Sequence, residues 1–366
     1  MRVKKIRVKN FRNIEECDID FSDGVNLLYG NNAQGKTNIV EAIYIFSRGK
    51  SFRGRDDSEL IMFGEEGFNL FIEFESNIGK ENLEYSLYGK ERKRKKNGYS
   101  IKKVSEMIGS FKSVLFYPDD LGLVKDGPDK RREFVNIASS QCYSSYLKNY
   151  SDFKKALENR NCLLKMINKG FYVDIKEIES WSESLAEYAS FIYISRIEFI
   201  KKLEYYADKF MNEISGGKEN IKIFLDSDID EDCNREKAKE IYKEKLKTNL
   251  DREIAAGVTL YGPHRDDIKI IINEKEARIF ASQGQQRSIV LSMKLAEGEV
   301  IREISGEYPV YLFDDVLSEL DDERRRYILS GVKDKQLIIT SCSRDESEGF
   351  TDREIDVNQG KFVIRE

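Results

Sequence analysis

Histidine is almost missing from this chain of 366 residues; there is one, His264. Cysteine is sparse and scattered, at Cys17, Cys142, Cys162, Cys233 and Cys342, with no Cys-x-x-Cys pair. Together these shortages argue against a zinc site and against a disulfide framework. Positive charge is not in excess either: 61 Lys and Arg face 66 Asp and Glu, a net charge of −5. Any nucleic-acid site must therefore be a local patch, or one made when copies assemble. No stretch approaches the roughly eighteen consecutive apolar residues of a membrane span. The opening MRVKKIRVKNF alternates charged and apolar residues like a strand, where a signal peptide has an apolar centre. The simplest expectation from these shortages is a cytoplasmic protein with no membrane partner. Its length suits two domains, or one large head with an insertion.

What is present falls into three stretches. Residues 1–30 read as strands, ending in the apolar run GVNLLYG, and KTNIVEAIYIFSRG then reads as a helix stopped by Gly49. Residues 68–90 alternate and turn like a hairpin, and an Asn-Gly pair at 97–98 marks a further turn. Beyond Pro118 and Pro128, half of the chain's four prolines, the pattern becomes helical with almost no strand signal. Strand-like texture returns near 257, followed by a helix over 281–305, the strands PVYLFDDV and QLIITSC, and a last strand KFVIRE. The expected architecture is α/β: a head built from residues 1–118 and 257–366, interrupted by a helical lobe over 119–256, without a long coiled coil.

The chemistry starts at GNNAQGKT, which fits G-x-x-x-x-G-K-[ST] between an apolar strand and an amphipathic helix. Backbone amides of Gly30, Asn31, Asn32, Ala33, Gln34 and Gly35 would wrap phosphate oxygens. Lys36 would reach the β- and γ-phosphates, and the Thr37 hydroxyl would ligate Mg²⁺. An alanine at 33, within a glycine-rich loop, is expected to keep φ below zero to avoid strain. Far along the chain, VYLFDDV is an apolar strand ending in two acids. Asp314 suits the Mg²⁺ ligand of a P-loop enzyme, and Asp315 would face the attacking water. Between them lies Ser282-Gln283-Gly284-Gln285, a polar turn where a helix starts and so a second place for an anion.

This order, a P-loop, a long insertion, a signature turn and then an acidic strand, resembles the ABC ATPases. In that family the signature serine and glycine of one head meet the γ-phosphate held by another. Leu320-Asp321 resembles the family's D-loop. After QLIIT, where transporters place a switch histidine, the chain reads Thr340-Ser341-Cys342, which implies slow hydrolysis. Over essentially its whole length the chain resembles the RecF family of bacterial recombination mediators. The stretches that carry this are NFRNIEE, GNNAQGKTNIVEAIYIFSRGKSFR, FYPDDLGLVKDGPDKRREFVN, ENRNCLLK, YGPHRDD, SQGQQR and FDDVLSELD.

The resemblance implies an ATP-dependent, DNA-binding clamp in recombinational repair, with Mg²⁺ as the companion ion. Its heads would dimerise on ATP and bind double-stranded and gapped DNA. With RecR and RecO-like mediators they would help to load recombinase, with a part in replication and in the SOS response. Arg12 and Asn13 match the pattern that approaches the nucleotide in related heads; the plain alternative is a surface turn. Phe52 stands where many members have histidine and receives no catalytic role. His264 is read as a structural hydrogen-bonder, with an interface or nucleotide-sensing role as the alternative. For DNA the best patch is the basic run Arg92, Lys93, Arg94, Lys95 and Lys96 with Lys102 and Lys103; Lys130, Arg131 and Arg132 form a second candidate. The competing readings are a transporter ATPase subunit, a short SMC-like head, and a non-enzymatic scaffold with a degenerate site.

Overall fold

The opening alternation folds, in this computed structural model, into a strand, Arg2–Phe11, that buries Val3, Ile6, Val8 and Phe11. The step from 3 to 6 breaks a period of two, and a register shift between Val3 and Lys5 against the neighbouring strand absorbs it. The structure describes residues 1–54, 56–331, 334–347 and 349–365, with only the backbone described for 319 and 346. The chain divides into two units. One comprises Met1–Leu121, Lys209–Lys218 and Gln283–Glu366; the other comprises Gly122–Asp208 and Glu219–Ser282.

The first unit holds two six-stranded sheets. In one, the strand Arg2–Phe11 lies between Ile14–Asp20 and Gly67–Ser76, and Gly79–Tyr88, Glu91–Lys96 and Tyr99–Ser100 continue it as an antiparallel meander. Asn97 and Gly98, both at positive φ (52° and 80°), make the tight turn that the Asn-Gly pair signals. The other sheet is parallel through Arg353–Asn358, Val25–Tyr29, Leu337–Ser341, Val310–Asp314 and Ser113–Phe116, with Lys361–Arg365 antiparallel at its edge. Val310–Asp314 and Leu337–Ser341 are buried at every residue, as central parallel strands covered on both faces must be. The helix Lys36–Arg48 shares one core with both sheets through Ile39, Ile43, Ile45 and Phe46, and Gly49 ends it at φ 79°. A short helix, Asp322–Ser330, follows the strand Val310–Asp314 in the chain.

The second unit is helical for the most part, with Pro128–Cys142, Tyr146–Asn168, Arg235–Thr248 and most of the long helix Ile175–Ser215. It also contains a three-stranded sheet, one strand of which the helical texture of 119–256 concealed. Its strand Ile221–Asp226 alternates buried Ile221, Ile223 and Leu225 with exposed neighbours and pairs with Asp267–Ile272. That pairing carries the unit on to Ser282 instead of ending it near 256, and the end of the long helix, 209–215, belongs to the first unit. Among the described residues no helix is long and apolar enough to cross a membrane.

Candidate functional site

The loop between the strand Val25–Tyr29 and the helix Lys36–Arg48 is held from several sides. Gly30 lies against the C-terminal hairpin so closely that a Cβ there would sit 2.3 Å from the Val357 carbonyl oxygen. Gln34 Oε1 accepts the Gln359 amide at 2.6 Å, and the Gln34 carbonyl accepts the Gly360 amide at 2.9 Å. Asn13 sits beside Gly35 and accepts from Asn38 Nδ2 at 2.6 Å. Ala33 departs from expectation: its φ is 62°, in the left-handed region, where a Cβ costs about 1–2 kcal/mol. The loop therefore holds a strained conformation that glycine would adopt freely, a kind of strain that clusters at ligand clamps.

Lys36 is buried, and its ammonium donates to the carbonyls of Gly30 and of Asn31, the latter at 3.0 Å. Thr37 Oγ1 donates to Asp314 Oδ1 at 2.9 Å, and Thr340 Oγ1 donates to the same oxygen at 2.8 Å. Thr340 Oγ1 also accepts the Asp315 amide at 2.9 Å, so one hydroxyl ties both acids to the neighbouring strand. Burial raises the Asp314 carboxyl above its ordinary value, against the two threonine hydroxyls and the charge of Arg53. The two hard oxygen ligands expected for Mg²⁺, Thr37 and Asp314, are in contact. Among the described residues no cluster of three or more metal-ligating side chains exists. Magnesium is usually held by one or two protein oxygens plus phosphates and water, a role that the Thr37 and Asp314 oxygens fit. Asp315 follows at φ 55°, a conformation that aspartate tolerates better than most residues.

Where a transporter would carry its switch histidine, Cys342 is exposed, with Sγ 2.8 Å from Asn32 Oδ1 and 3.9 Å from Lys36 Nζ. Two further groups went unread in the sequence. Glu41, fully buried one turn into the P-loop helix, is gripped by Arg12 (Nε 3.1 Å, Nη2 2.8 Å), by Arg53 Nη2 at 2.6 Å and by the Ser51 hydroxyl. Arg53 also donates to Asn38. Their signal was thin: three charges at 12, 41 and 53 whose pairing only the fold reveals. Arg12, expected near phosphate, faces the P-loop helix through Glu41. Its guanidinium is engaged by Glu41 and by the Glu59 carbonyl at 2.8 Å.

The signature turn opens the helix Gln283–Ser305, with Ser282, Gln283 and Gly284 exposed and Gln285 half-buried. From Ser288 to Ile301 that helix is buried, so its body is fixed in the core while its first turn faces outward. A Cβ built on Gly284 would meet nothing within 4 Å. Leu320 is buried, and Asp321 caps the next helix by accepting the Arg324 amide at 2.9 Å. Arg324 Nε donates to Ser288 Oγ at 2.9 Å, joining that helix to the signature helix.

The basic patches fare less well. Arg92 pairs with Asp57 at 2.8 Å, Lys95 with Glu84 at 3.0 Å and Lys96 with Glu81 at 2.8 Å; Arg94 lies over the Tyr85 ring. Lys93 pairs with the exposed Glu91, at 3.3 Å. Much of the strand's charge is thus met by acids on adjacent elements. In the second candidate, Arg131 is 5% exposed and bidentate to Asp267 at 2.8 and 2.9 Å. Arg132 is held by Asp129 and by the Asp266 carbonyl; Lys130 pairs loosely with Asp126 at 3.5 Å.

The YGPHRDD stretch is likewise internal to its unit. Arg196 donates to the Pro263 carbonyl at 2.6 Å and to Asn136 at 2.9 Å, and lies 3.5 Å from Asp266. His264 Nε2 lies 3.2 Å from the Thr259 carbonyl, and burial pushes the imidazole down to about 4. As the only histidine it can be watched directly. Proton NMR should show its ring neutral at pH 6 and titrating near 4. Because the folded value lies below the ordinary 6.5, neutral His264 stabilises the fold above that pH. This contribution, on the order of 3 kcal/mol, is lost as pH falls from 6.5 toward 4. A titration near 6.5 would contradict it.

Comparison with known proteins shows the family. The family model described as RecF/RecN/SMC N terminal domain matches residues 2–361. The DNA replication and repair protein RecF of Thermoanaerobacter sp. (strain X514) is 39% identical over 350 residues, 95% of this chain and 96% of the relative. Its counterpart in Ruminiclostridium cellulolyticum is 40% identical over 353 residues, covering 95% and 94%. Among solved structures, one described as the recombination mediator protein RecF-ATP in the RecFOR pathway superposes with a TM-score of 0.93 at 36% identity, covering 100% of this chain and 98% of the other. An Smc head domain from Pyrococcus furiosus, at TM-score 0.59 and 20% identity over 100% and 96%, shares the fold.

Proposed function

The chain belongs to the RecF family, within the RecF/RecN/SMC group, and on that premise we propose that it is an ATP-gated DNA clamp serving recombinational repair. The RecF-ATP relative supports ATP as its nucleotide. Amides from Asn31 to Gly35 face the phosphates, and Lys36 exchanges the carbonyls of Gly30 and Asn31 for β- and γ-phosphate oxygens. Thr37 and Asp314 are the residues that hold magnesium, which when bound neutralises charge building on those oxygens. Asp315, set beside Asp314 by the Thr340 hydroxyl, orients the attacking water. With Cys342 in place of a switch histidine, hydrolysis is slow.

The turn Ser282–Gln285 caps the triphosphate held by a second copy. Gly284 is the observation that carries this reading. Among the described residues no atom comes within 4 Å of a Cβ built on it, yet glycine in a helix costs up to about 1 kcal/mol against alanine. A residue of that kind, at a helix N-terminus and in open space, fits close approach by an anion from outside. ATP binding then shifts the equilibrium toward the pair, because it makes contacts in the pair that it lacks in the single head. Pairing brings positive surface from both copies to one duplex or gapped DNA, with Lys93, Lys102 and Lys103 as the hairpin's contribution. RecR and RecO-like mediators are the partners that the RecFOR relative supports; a role in replication follows the DNA replication and repair relatives, and a cytoplasmic location and a part in SOS induction belong to the same proposal.

Lys36→Ala tests the reading. Removing charge-assisted bonds worth about 1.5–3 kcal/mol each should weaken ATP binding about 100-fold. It should also abolish ATP-dependent retention of DNA at both low and physiological salt, in filter-binding assays. Retention indifferent to Lys36 would overturn the proposal in favour of a scaffold.

A further inference from the structure

The signature helix is anchored by buried charges that take no part in the steps described so far. Lys294, 7% exposed, places its ammonium 3.1 Å from Asp120 Oδ1 and 3.9 Å from Glu297 Oε2. Asp120, also 7% exposed, lies in the Pro118–Leu121 turn and accepts the Tyr117 amide at 3.0 Å through its other oxygen. Glu297 is 3% exposed, and its Oε2 finds no hydrogen-bond donor among the described residues. Burial pushes its carboxyl up to about 7, Lys294 opposing and Asp120 adding to the shift. Beside it, a Cβ on Gly298 would come 1.7 Å from the Tyr311 hydroxyl oxygen, so the helix rests directly on the strand that ends in Asp314. Tyr44 of the P-loop helix faces the same charges: burial raises its hydroxyl, Arg48 opposes, and Glu297 and Asp120 add to the rise. The P-loop helix, the Pro118–Leu121 turn, the acidic strand and the signature helix therefore meet at one ionic cluster.

Apolar side chains of similar volume would fill this place at least as stably, since desolvating buried charges offsets much of their attraction. What an ion pair adds is direction. We propose that Asp120 and Lys294 are positioning residues that set the register of the signature helix against the P-loop helix, so that Ser282–Gln285 is aimed at the nucleotide of a second copy. This rests on the capping reading given above. Lys294 lies ten residues beyond Gly284, about 15 Å along the helix axis. A rotation or slide there is carried undiminished to the turn, and misplacement by about 1 Å can cost on the order of 100-fold.

The test is a neutral triple variant, Asp120→Asn with Lys294→Met and Glu297→Gln, beside Lys294→Arg. The triple should unfold in denaturant at or above the parent's midpoint and bind ATP within two-fold of it, yet pair at least ten-fold more weakly by light scattering. Lys294→Arg, which keeps the charge, should pair within about three-fold of the parent. Parent-like pairing in the triple would overturn the proposal. So would earlier unfolding, or equal loss in Lys294→Arg, for the cluster would then support packing instead of aim. Ser282→Arg measured alongside separates the two claims. If it still pairs, the capping reading fails; if it is monomeric while the triple pairs normally, only the positioning role fails.

Discussion

Ser282→Arg should leave each head able to hold ATP and unable to pair over it. The side chain at 282 is exposed, at the mouth of a helix whose buried body, Ser288 to Ile301, does not depend on it. Arginine there adds bulk where an incoming triphosphate must touch backbone amides, and its added charge does not restore the close approach that Gly284 leaves open. The P-loop contacts of Lys36, Thr37 and Asp314 lie in residues that the substitution does not alter. Equilibrium binding of a fluorescent ATP analogue should be unchanged within two-fold. ATP-dependent dimer should vanish, a loss of at least about 100-fold in pairing, or about 2.7 kcal/mol. A variant that still dimerises with ATP refutes the capping role of the turn.

The second large effect concerns Asp315. Asparagine accepts the positive φ of 55° as readily as aspartate, so Asp315→Asn removes a charge and leaves the backbone in place. Loss of a group that orients or deprotonates water typically lowers turnover by about 100- to 10,000-fold. The paired state would then outlive its formation, and DNA captured with ATP should stay bound long after free nucleotide is removed. Measured dissociation from labelled duplex should slow in proportion to the loss of hydrolysis. Rapid release by this variant would mean that opening does not wait on Asp315.

The parts of the site legible in the sequence are those whose chemistry needs neighbours in the chain. A phosphate loop must be contiguous, so GNNAQGKT announces itself, and the strand before it and the helix capped by Gly49 follow from burial and a left-handed stop. The contact between Thr37 and Asp314 was foreseeable because both are read as ligands of one ion. Ala33 was misjudged because φ answers to the loop's closure rather than to the residue's own preference, and the fold imposes 62° on it. What the sequence left unread in the basic hairpin is how its charge is met. A sequence displays the cations of one strand together, while Asp57, Glu81 and Glu84, which meet them, arrive from elsewhere. Arg131 is similar: its carboxylate, Asp267, lies in a strand far along the chain. The strand Ile221–Asp226 does alternate, yet six residues among helices give a short signal whose partner comes much later. Glu41, Arg12 and Arg53 assemble only through packing.

Cys342 offers a natural reporter for the central proposition, since its exposed thiol lies beside Asn32 and Lys36 at the phosphate loop. With Cys162 changed to serine to silence the other exposed thiol, and Ser282→Cys introduced, a short bis-maleimide can ask whether the two sites meet across copies. Linked dimers that form with ATP and not without it, joined through 282 of one copy and 342 of another, are the result predicted. Cross-linking that ignores ATP, or that never joins those two positions between chains, would contradict it.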